Sequence, residues 1–257
     1  MKIAFFDIDG TIYSSSIGKV SRAVKQAIAN AQAKGWICCV ASGRSYGFLP
    51  KEIRDMSFDA YICCNGSVLW YKNQLLIHQT MPKEVVEDLV QHLKKGHIEY
   101  DLQKWDHSNL NSSYTNLRSY FMDSGIESSV LLEDDNDYSN IVKIEMWMNQ
   151  AEDYSYALEK SKHFSYEVHE STNHLEYFCL GTSKAKAAQY LMKVLNCSQS
   201  YSFGDSMNDY PLAQVVDYPI AMDNANDSLK EIAKEIAPSC NEDGVAIVLN
   251  RLLKEEG

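Results

Sequence analysis

The chain reads KIAFFDIDGT over residues 2–11, an apolar run that ends in two acids and a glycine. The apolar part has the pattern of a short strand covered on both faces. In an open parallel sheet, ligands bind beyond the carboxyl ends of the strands. Alternation along an extended segment aims the Asp7 and Asp9 side chains in the same direction, and Gly10 allows a sharp turn. The stretch therefore predicts a strand that delivers two carboxylates to one edge of a sheet.

Strand and helix patterns alternate after this stretch. Apolar residues recur at helical spacing from Val20 to Ala31. Apolar runs at Trp36 to Ala41 and at Tyr61 to Cys64 predict two further strands. Residues 67–78 predict a hairpin whose turn includes Asn73. The alternation predicts an α/β fold, a Rossmann-like parallel sheet with right-handed crossovers and helices on both faces.

Residues 82–182 have a different pattern, in which helical stripes mix with alternating segments. Residues 141–148 alternate polar and apolar side chains, which predicts a half-buried strand. The strand–helix alternation then returns. We therefore expect a core formed by residues 1–81 and 183–257, with residues 82–182 inserted as an α+β cap domain.

The composition of the chain disfavours several classes of function. The formal net charge is −11, whereas nucleic-acid binders carry a basic face, so nucleic-acid partners are disfavoured. No stretch approaches the roughly 18 apolar residues of a membrane helix. The apolar start is too short for a signal peptide, which favours a cytoplasmic protein. The acidic run from Glu133 to Asp137 fits no calcium loop, and a solvated loop explains it better than a cation site.

The seven cysteines include two adjacent pairs, Cys38-Cys39 and Cys63-Cys64, and no Cys-x-x-Cys motif. Adjacent residues on a strand point to opposite faces. These cysteines are therefore predicted to be small buried side chains in a reducing compartment.

Three further segments carry polar groups at predicted strand or helix ends. Residues 204–209 read GDSMND after a strand, so Asp205 could join a magnesium site, although a turn capping the next helix is an equal interpretation. Ser42 follows another strand, and a hydroxyl with exposed N–H groups suits phosphate as well as a helix N-cap. Lys184 opens a helix against the macrodipole, which suggests an anionic partner. Lys186 is an alternative, as is a simply solvated lysine.

In this order, the four segments resemble the motifs of the haloacid dehalogenase superfamily. The inserted module, Asn65-Gly66, Asn224-Ala225 and residues 242–246 resemble its Cof-type (subfamily IIB) phosphatases, and the resemblance covers nearly the whole chain. It implies a magnesium-dependent phosphatase that hydrolyses phosphate monoesters of small metabolites, sugar phosphates or related compounds, through an aspartyl-phosphate.

The resemblance also implies roles for individual residues. Asp7 matches the nucleophile and Asp9 the general acid/base. Magnesium is expected on Asp7, on the backbone carbonyl of Asp9 and on Asp205, with Asp209 adjoining these ligands. Contacts to phosphate or substrate are expected from Ile8, Ser42, Gly43, Arg44, Lys184 and Asn208. Ser42 stands where the family frequently has threonine, which keeps the hydroxyl, and Ala185 stands where glycine often follows the lysine.

Several alternatives remain open at this point. A phosphomutase would use the same groups but would require a bisphosphate activator. A signalling receiver is normally much shorter, and a metabolite-binding module without catalysis would not need every motif. Trp105, His107 and His169 are candidates for specificity, but a packed aromatic or an exposed histidine is the simpler interpretation. The sequence specifies neither the substrate nor the oligomeric state.

Overall fold

The structure of the protein, a computed structural model, describes residues 1–14, 18–72 and 74–255. The predicted turn residue Asn73 lies outside these ranges. The chain divides into two compact units. The first unit comprises Met1–Gly43, Lys51–Ile77 and Ser183–Gly257. The second unit comprises Arg44–Pro50 and His78–Thr182.

The secondary structure of the described residues alternates through both units. In chain order the strands are β1 (Lys2–Phe6), β2 (Ile37–Ala41), β3 (Ala60–Cys63), β4 (Val68–Tyr71), β5 (Gln74–His78), β6 (Glu99–Gln103), β7 (Ser108–Leu110), β8 (Leu131–Leu132), β9 (Lys143–Trp147), β10 (Phe164–His169), β11 (His174–Cys179), β12 (Gln199–Gly204), β13 (Tyr218–Met222) and β14 (Glu235–Ala237). The helices are α1 (Arg22–Ala33), α2 (Lys51–Asp55), α3 (Lys83–Lys95), α4 (Asn116–Asp123), α5 (Ala151–Leu158), α6 (Lys184–Val194), α7 (Tyr210–Ala213), α8 (Asp227–Ile232) and α9 (Gly244–Lys254).

The first unit is built on one sheet with the spatial order β14-β13-β12-β1-β2-β3-β4-β5. The strands from β14 to β3 run parallel, and β4 runs antiparallel to β3. Phe6, at the end of β1, is in register with Val40 on one side and Phe203 on the other. This sheet confirms the predicted α/β fold class. It also brings the carboxyl ends of β1, β2 and β12 to one edge.

The central strand β1 is covered on both faces, as its apolar run predicts. Ile3 and Phe5 belong to a cluster with Ala187 and Leu191 of α6. Their neighbours on the opposite face are equally inaccessible to solvent. Helix α1 begins at an N-cap, Ser21, whose side chain accepts a hydrogen bond from the Val24 N–H. α1 packs against α9.

The second unit contains a mostly antiparallel sheet with the order β10-β11-β9-β6-β7-β8. One face packs on α3 and α5 through an apolar cluster that includes Leu89, Tyr100, Ile144 and Tyr177. The adjacent pair β7 and β8 is parallel. No helix within the described ranges is long and apolar enough to cross a membrane.

The prediction of a strand within residues 141–148 is confirmed by β9, but the prediction that this strand is half-buried is wrong. Lys143 and Glu145, on the polar face of β9, are each only 4% exposed. Their charges are paired, because Lys143 Nζ lies 2.6 Å from Glu145 Oε1. The polar face is therefore buried as well as the apolar one. Alternation of polar and apolar residues shows which side chains share a face, but it does not show whether a second layer covers that face.

Candidate active site

Asp7 lies directly after β1, and its surroundings hold it in place. Its N–H donates to the Phe203 carbonyl at 3.0 Å, which continues the parallel pairing with β12. The residue is 6% exposed. The next residue, Ile8, is fully buried, and its carbonyl accepts from the N–H groups of Thr11, Ile12 and Tyr13. The Ile8 side chain thus belongs to the core and offers no side-chain contact to a substrate.

Gly10 lets this loop approach the acid that follows β12. Its φ of +78° lies in the left-handed region, and a Cβ there would stand 2.4 Å from Asp205 Oδ2. Thr11 Oγ1 donates to Asp205 Oδ1 at 3.3 Å. The Gly10 carbonyl accepts from Asn224 Nδ2 at 2.9 Å. These contacts fix the loop after β1 against the loops after β12 and β13.

Lys184 is the cation at this edge, and it is 1% exposed. Its Nζ donates to Asp7 Oδ1 at 2.7 Å, to Asn208 Oδ1 at 2.8 Å and to Asp209 Oδ1 at 2.7 Å. Burial alone lowers the pKa of Lys184, but Asp209 and Asp7 outweigh it and hold that pKa above its ordinary value. Lys184 therefore stays an ammonium. Helix α6 holds it there, with Ser183 as an N-cap that accepts from the Lys186 N–H.

Asp209 connects this lysine to the backbone of the β12 loop. One carboxylate oxygen, Oδ1, accepts from Lys184, and the other accepts from the N–H groups of Asp205 and Ser206 at 3.1 and 3.2 Å. A Cβ at Gly204 would lie 2.6 Å from Asp209 Cγ, so glycine makes room for this side chain. Asp209 is therefore a positioning residue for Lys184 and the loop.

Three carboxylates at this edge could hold a cation. Oxygen atoms of Asp7, Asp205 and Asp209 all lie within 4.8 Å of one another. Burial and the neighbouring Asp209 raise the pKa of Asp7 despite Lys184, and burial with Asp209 raises the pKa of Asp205 to about 6. Asp9 adds negative charge around Asp205. The donors are all oxygen atoms and the cluster has excess negative charge, so it suits a hard divalent cation.

The loops after β2 and β3 lie beside the same residues. Ser42 is 2% exposed, and its carbonyl accepts from the Asn65 N–H at 3.2 Å. A Cβ on Gly43 would lie 3.3 Å from Asn65 Oδ1 and 3.8 Å from Asn208 Nδ2. The structure thus brings Gly43 next to Asn208, although the two residues are far apart in the sequence.

Asn65 and Gly66 shape the floor of this region through unusual backbone conformations. Asn65 has φ +50° and Gly66 has φ +95°. A Cβ on Gly66 would stand 2.3 Å from the Ser183 carbonyl, so the turn packs tightly on the start of α6. No role was predicted for Asn65 or Asn224. Asn65 directly follows a predicted strand, whereas Asn224 is the second residue after the apolar run that ends at Met222.

Other residues singled out in the sequence belong to the second unit. Arg44 belongs to the second unit, where its Nη1 donates to the Phe48 carbonyl at 3.1 Å. The Trp105 ring packs 5.4 Å from that of Tyr46, and His107 Nδ1 lies 2.8 Å from Asp106 Oδ1. These contacts agree with the simpler interpretation of Trp105 as a packed aromatic.

The acidic run from Glu133 to Asp137 forms a loop stabilised by its own carboxylates. Glu133 accepts from the Ser112 N–H, Asp135 from Asn109 Nδ2, and Asp137 from Lys104 Nζ. It is absent from the clusters of the described residues whose geometry suits a metal ion. These hydrogen bonds therefore account for the acidic residues of this loop.

Known proteins resemble this chain along its whole length. The family model of haloacid dehalogenase-like hydrolases matches residues 4–249. YkrA of Bacillus subtilis (strain 168) is 26% identical, with 98% of this chain and 97% of YkrA covered. The 5-amino-6-(5-phospho-D-ribitylamino)uracil phosphatase YcsE of the same organism is 25% identical, with 96% and 93% covered. The solved structure of the subclass IIB sugar phosphatase BT4131 matches with a TM-score of 0.82 at 18% identity, covering 98% of this chain and 99% of that one.

Proposed function

Because the chain belongs to the haloacid dehalogenase-like hydrolases and is a phosphatase, we propose that it hydrolyses monoesters of small metabolites by phosphoryl transfer to Asp7. The observation that carries this proposal is the buried ion pair between Lys184 Nζ and Asp7 Oδ1, at 2.7 Å beside Asp205. A lysine so placed favours the ionised form of Asp7, against the effects of burial and of Asp209, and would attract an anion that reaches the site. We also propose that residues 82–182 act as a cap, the role that the family resemblance implies.

Charge is the main obstacle to the first step. A phosphate monoester carries up to two negative charges, and Asp7 must attack as an anion. Each unit pair at about 4 Å repels by roughly 4 kcal/mol at an effective dielectric near 20. Lys184 offsets part of this repulsion and stabilises charge on the transferred group. Asp209 supports the reaction indirectly by holding Lys184.

Magnesium is the cation we propose for the carboxylate cluster. Asp7 and Asp205 would hold it, together with the backbone carbonyl of Asp9. When bound, it supplies Lewis-acid stabilisation of the phosphoryl oxygens. Burial and the neighbouring Asp209 raise the pKa of Asp7 and of Asp205, and a cation held there would favour the ionised form of both carboxyl groups.

The covalent step exchanges a phosphate ester bond for an acyl-phosphate bond. The Asp7 carboxylate forms a bond to phosphorus as the bond from phosphorus to the leaving oxygen breaks, and Asp9 gives its proton to that oxygen. Water then attacks phosphorus while Asp9 takes a proton from it. The acyl-phosphate bond breaks, which releases inorganic phosphate and restores the Asp7 carboxylate. Asp9 is suited to this exchange because it follows Asp7 by two residues on the same loop.

The proposed substrates are phosphorylated sugars and polyols. Two relatives support this class, since YcsE is named for a phosphoribitylamino compound and BT4131 for sugar phosphates. Both names describe a phosphate on a polyhydroxylated carbon chain.

A phosphate-release screen with Mg²⁺ tests the proposal over sugar phosphates, polyol phosphates and nucleotides. We expect turnover of one or more sugar or polyol phosphates, and loss of that turnover on chelation of the metal. Asp205→Asn should lose activity, whereas Asp55→Asn, in an exposed ion pair with Lys51, should retain it. Equal activity of the two variants would contradict the cation site. A strict requirement for a bisphosphate activator would indicate a phosphomutase instead.

A further inference from the structure

The buried polar face of the second unit contains a cluster with metal-ligand geometry. His169 pairs with His174 between β10 and β11, and Glu176 follows His174 by two residues on the same face. The Glu176 Oε1 atom lies 3.7 Å from His174 Nδ1 and 3.9 Å from His169 Nε2. All three atoms fall within 4.8 Å of one another.

These separations are longer than hydrogen bonds but close to the spacing of ligands around one ion. Zinc binds histidine nitrogen at about 2.0–2.1 Å and carboxylate oxygen at about 2.0–2.2 Å. Tetrahedral ligands at such distances lie somewhat more than 3 Å apart. The two separations from Glu176 exceed this spacing by only about half an ångström, so a small contraction would bring Glu176 and each histidine nitrogen to the spacing of ligands around one ion.

A second carboxylate orients the buried histidine toward this point. His174 is 1% exposed, and its Nε2 lies 2.6 Å from Glu145 Oε2 on the neighbouring strand β9. Metal-binding histidines commonly have a carboxylate next to one ring nitrogen, which leaves the other nitrogen for the metal. Here that other nitrogen is Nδ1, the atom nearest Glu176.

The net charge around the cluster is negative, which favours the binding of a divalent cation. Three carboxylates face it, those of Glu145, Glu176 and Glu167, the last with an oxygen 3.8 Å from His169 Nε2. Lys143 supplies one positive charge, 2.6 Å from Glu145 and 3.1 Å from Glu176. With both histidines neutral, two negative charges remain, which a divalent cation balances.

We propose that His169, His174 and Glu176 form a binding site for a zinc-like divalent cation, with Glu145 positioning His174. The two imidazole nitrogens favour Zn²⁺ or Co²⁺ over Mg²⁺ and Ca²⁺, which prefer oxygen donors. Glu167 is the nearest further carboxylate for a fourth position. Such an ion would tie the end of the β10–β11 hairpin together. This site lies in the second unit and is distinct from the Asp7 carboxylate cluster of the first.

Cobalt spectroscopy on the full chain tests this site, with Mg²⁺ in excess to occupy oxygen-donor positions. We expect one equivalent of Co²⁺ to give the intense visible absorption of tetrahedral coordination, which Zn²⁺ then abolishes. Zn²⁺ should also raise the thermal midpoint. The Asp205→Asn variant should keep the signal, because its substitution lies in the other cluster.

His169→Gln is the decisive variant, because His169 is 40% exposed and its loss should not prevent folding. We expect its affinity for Co²⁺ to fall by at least about tenfold, since even the loss of an indirect metal partner costs about 10–100-fold. The exposed His163→Gln, in the same unit, is the matched control and should bind as the parent does. Absence of a tetrahedral signal in the parent, or equal affinity in both variants, would overturn the proposal.

Discussion

Asp7 and Lys184 are buried together, and the opposite charge of each offsets the cost of burying the other. A buried lysine loses its hydration and keeps its charge only where acids surround it, and Asp7 and Asp209 both lie 2.7 Å from its Nζ. Buried ion pairs often add little to stability compared with well-packed apolar side chains. A pair of this kind at the carboxyl edge of a parallel sheet is therefore better explained by chemistry than by folding.

Replacing Lys184 with methionine tests this interpretation. Lys184→Met keeps much of the volume but removes the charge that faces the phosphoryl oxygens. We expect kcat to fall by about 10²–10³-fold, the usual cost of removing one stabilising donor. Lys186→Met, two residues along the same helix at an exposed position, should retain normal kcat. Steady-state kinetics on folded protein, checked by circular dichroism, would contradict the assignment if the two variants behaved alike.

Loss of the lysine should also affect stability. Asp7 and Asp209 would be left without their cation, and breaking a buried pair in this way typically costs about 3–5 kcal/mol. Bound Mg²⁺ should restore part of the loss because it supplies positive charge at the same carboxylates. Denaturant titration with and without Mg²⁺ measures both effects.

At the scale of elements, the site is formed by turns at the ends of strands. β1 and β12 end in turns that place Asp7 and Asp205 at the same edge, and glycines permit the close approach. Residue type and local order made these turns predictable, because an acid, a glycine and a hydroxyl each follow an apolar run. Their mutual distances were not predictable, since they depend on the order of strands in the sheet.

The secondary structure of the inserted unit was harder to predict, because it too depends on contacts between residues that are far apart in the sequence. β6 and β7 were missed because Glu99–Gln103 and Ser108–Leu110 contain few apolar residues. Their polar side chains are buried through partners far along the chain, such as Gln103 Nε2, which donates to Glu145 Oε1 at 2.7 Å. Helix α5 begins at Ala151, where Gln150 and Asp153 form a capping box.

Two glycines with similar backbone conformations allow the effect of backbone strain on stability to be distinguished from an effect on the active site. Gly10 and Gly35 have φ of +78° and +81°, but only Gly10 has a neighbour, Asp205, where a Cβ would stand. Each change to alanine should cost about 1 kcal/mol or more through the positive φ. Gly10→Ala should in addition displace Asp205, which lowers activity and weakens Mg²⁺ binding. Equal activity of Gly10→Ala and Gly35→Ala would contradict the role given to this loop.

The buried polar sheet face predicts a pH dependence centred on Asp101. Burial and the neighbouring Glu145 raise the pKa of Asp101 to about 7, although Ser108 and the Glu145 N–H donate to it. In the unfolded chain its pKa is near the ordinary value of about 3.9. Between these two values the folded state holds a proton that the unfolded state has lost. The contribution of Asp101 therefore reduces stability as pH rises from about 4 to about 7.

The variant Asp101→Asn isolates this contribution. Asparagine keeps an acceptor for the Glu145 N–H and supplies a donor toward Ser108, but it does not ionise. The free energy of unfolding of the variant, relative to the parent, should increase with pH over that interval by up to about 1.4 kcal/mol per pH unit. Urea titrations at several pH values measure the difference. A difference that stays flat or declines with pH would show that Asp101 is ionised in the folded protein.

At the scale of the whole molecule, the net charge of −11 opposes the binding of an anionic substrate. An acidic protein attracts a phosphate ester only through local positive charge. Lys184 provides one such charge within the first unit, and the carboxylate cluster provides a place for a divalent cation. The groups involved come from residues 7 to 209, so the site exists only in the folded first unit. The proposed mechanism thus depends on whether phosphorus forms a covalent bond to Asp7.

Detection of that bond is the most direct measurement. An aryl phosphate with a good leaving group needs no proton for the first step, so Asp9→Asn should form the phospho-enzyme and then hydrolyse it slowly. Acid quenching followed by mass spectrometry should find one phosphoryl group on the peptide spanning residues 3–19, and Asp7→Asn should show neither the label nor turnover. Turnover by Asp7→Asn, or a phosphoryl group found on another peptide, would contradict Asp7 as the nucleophile.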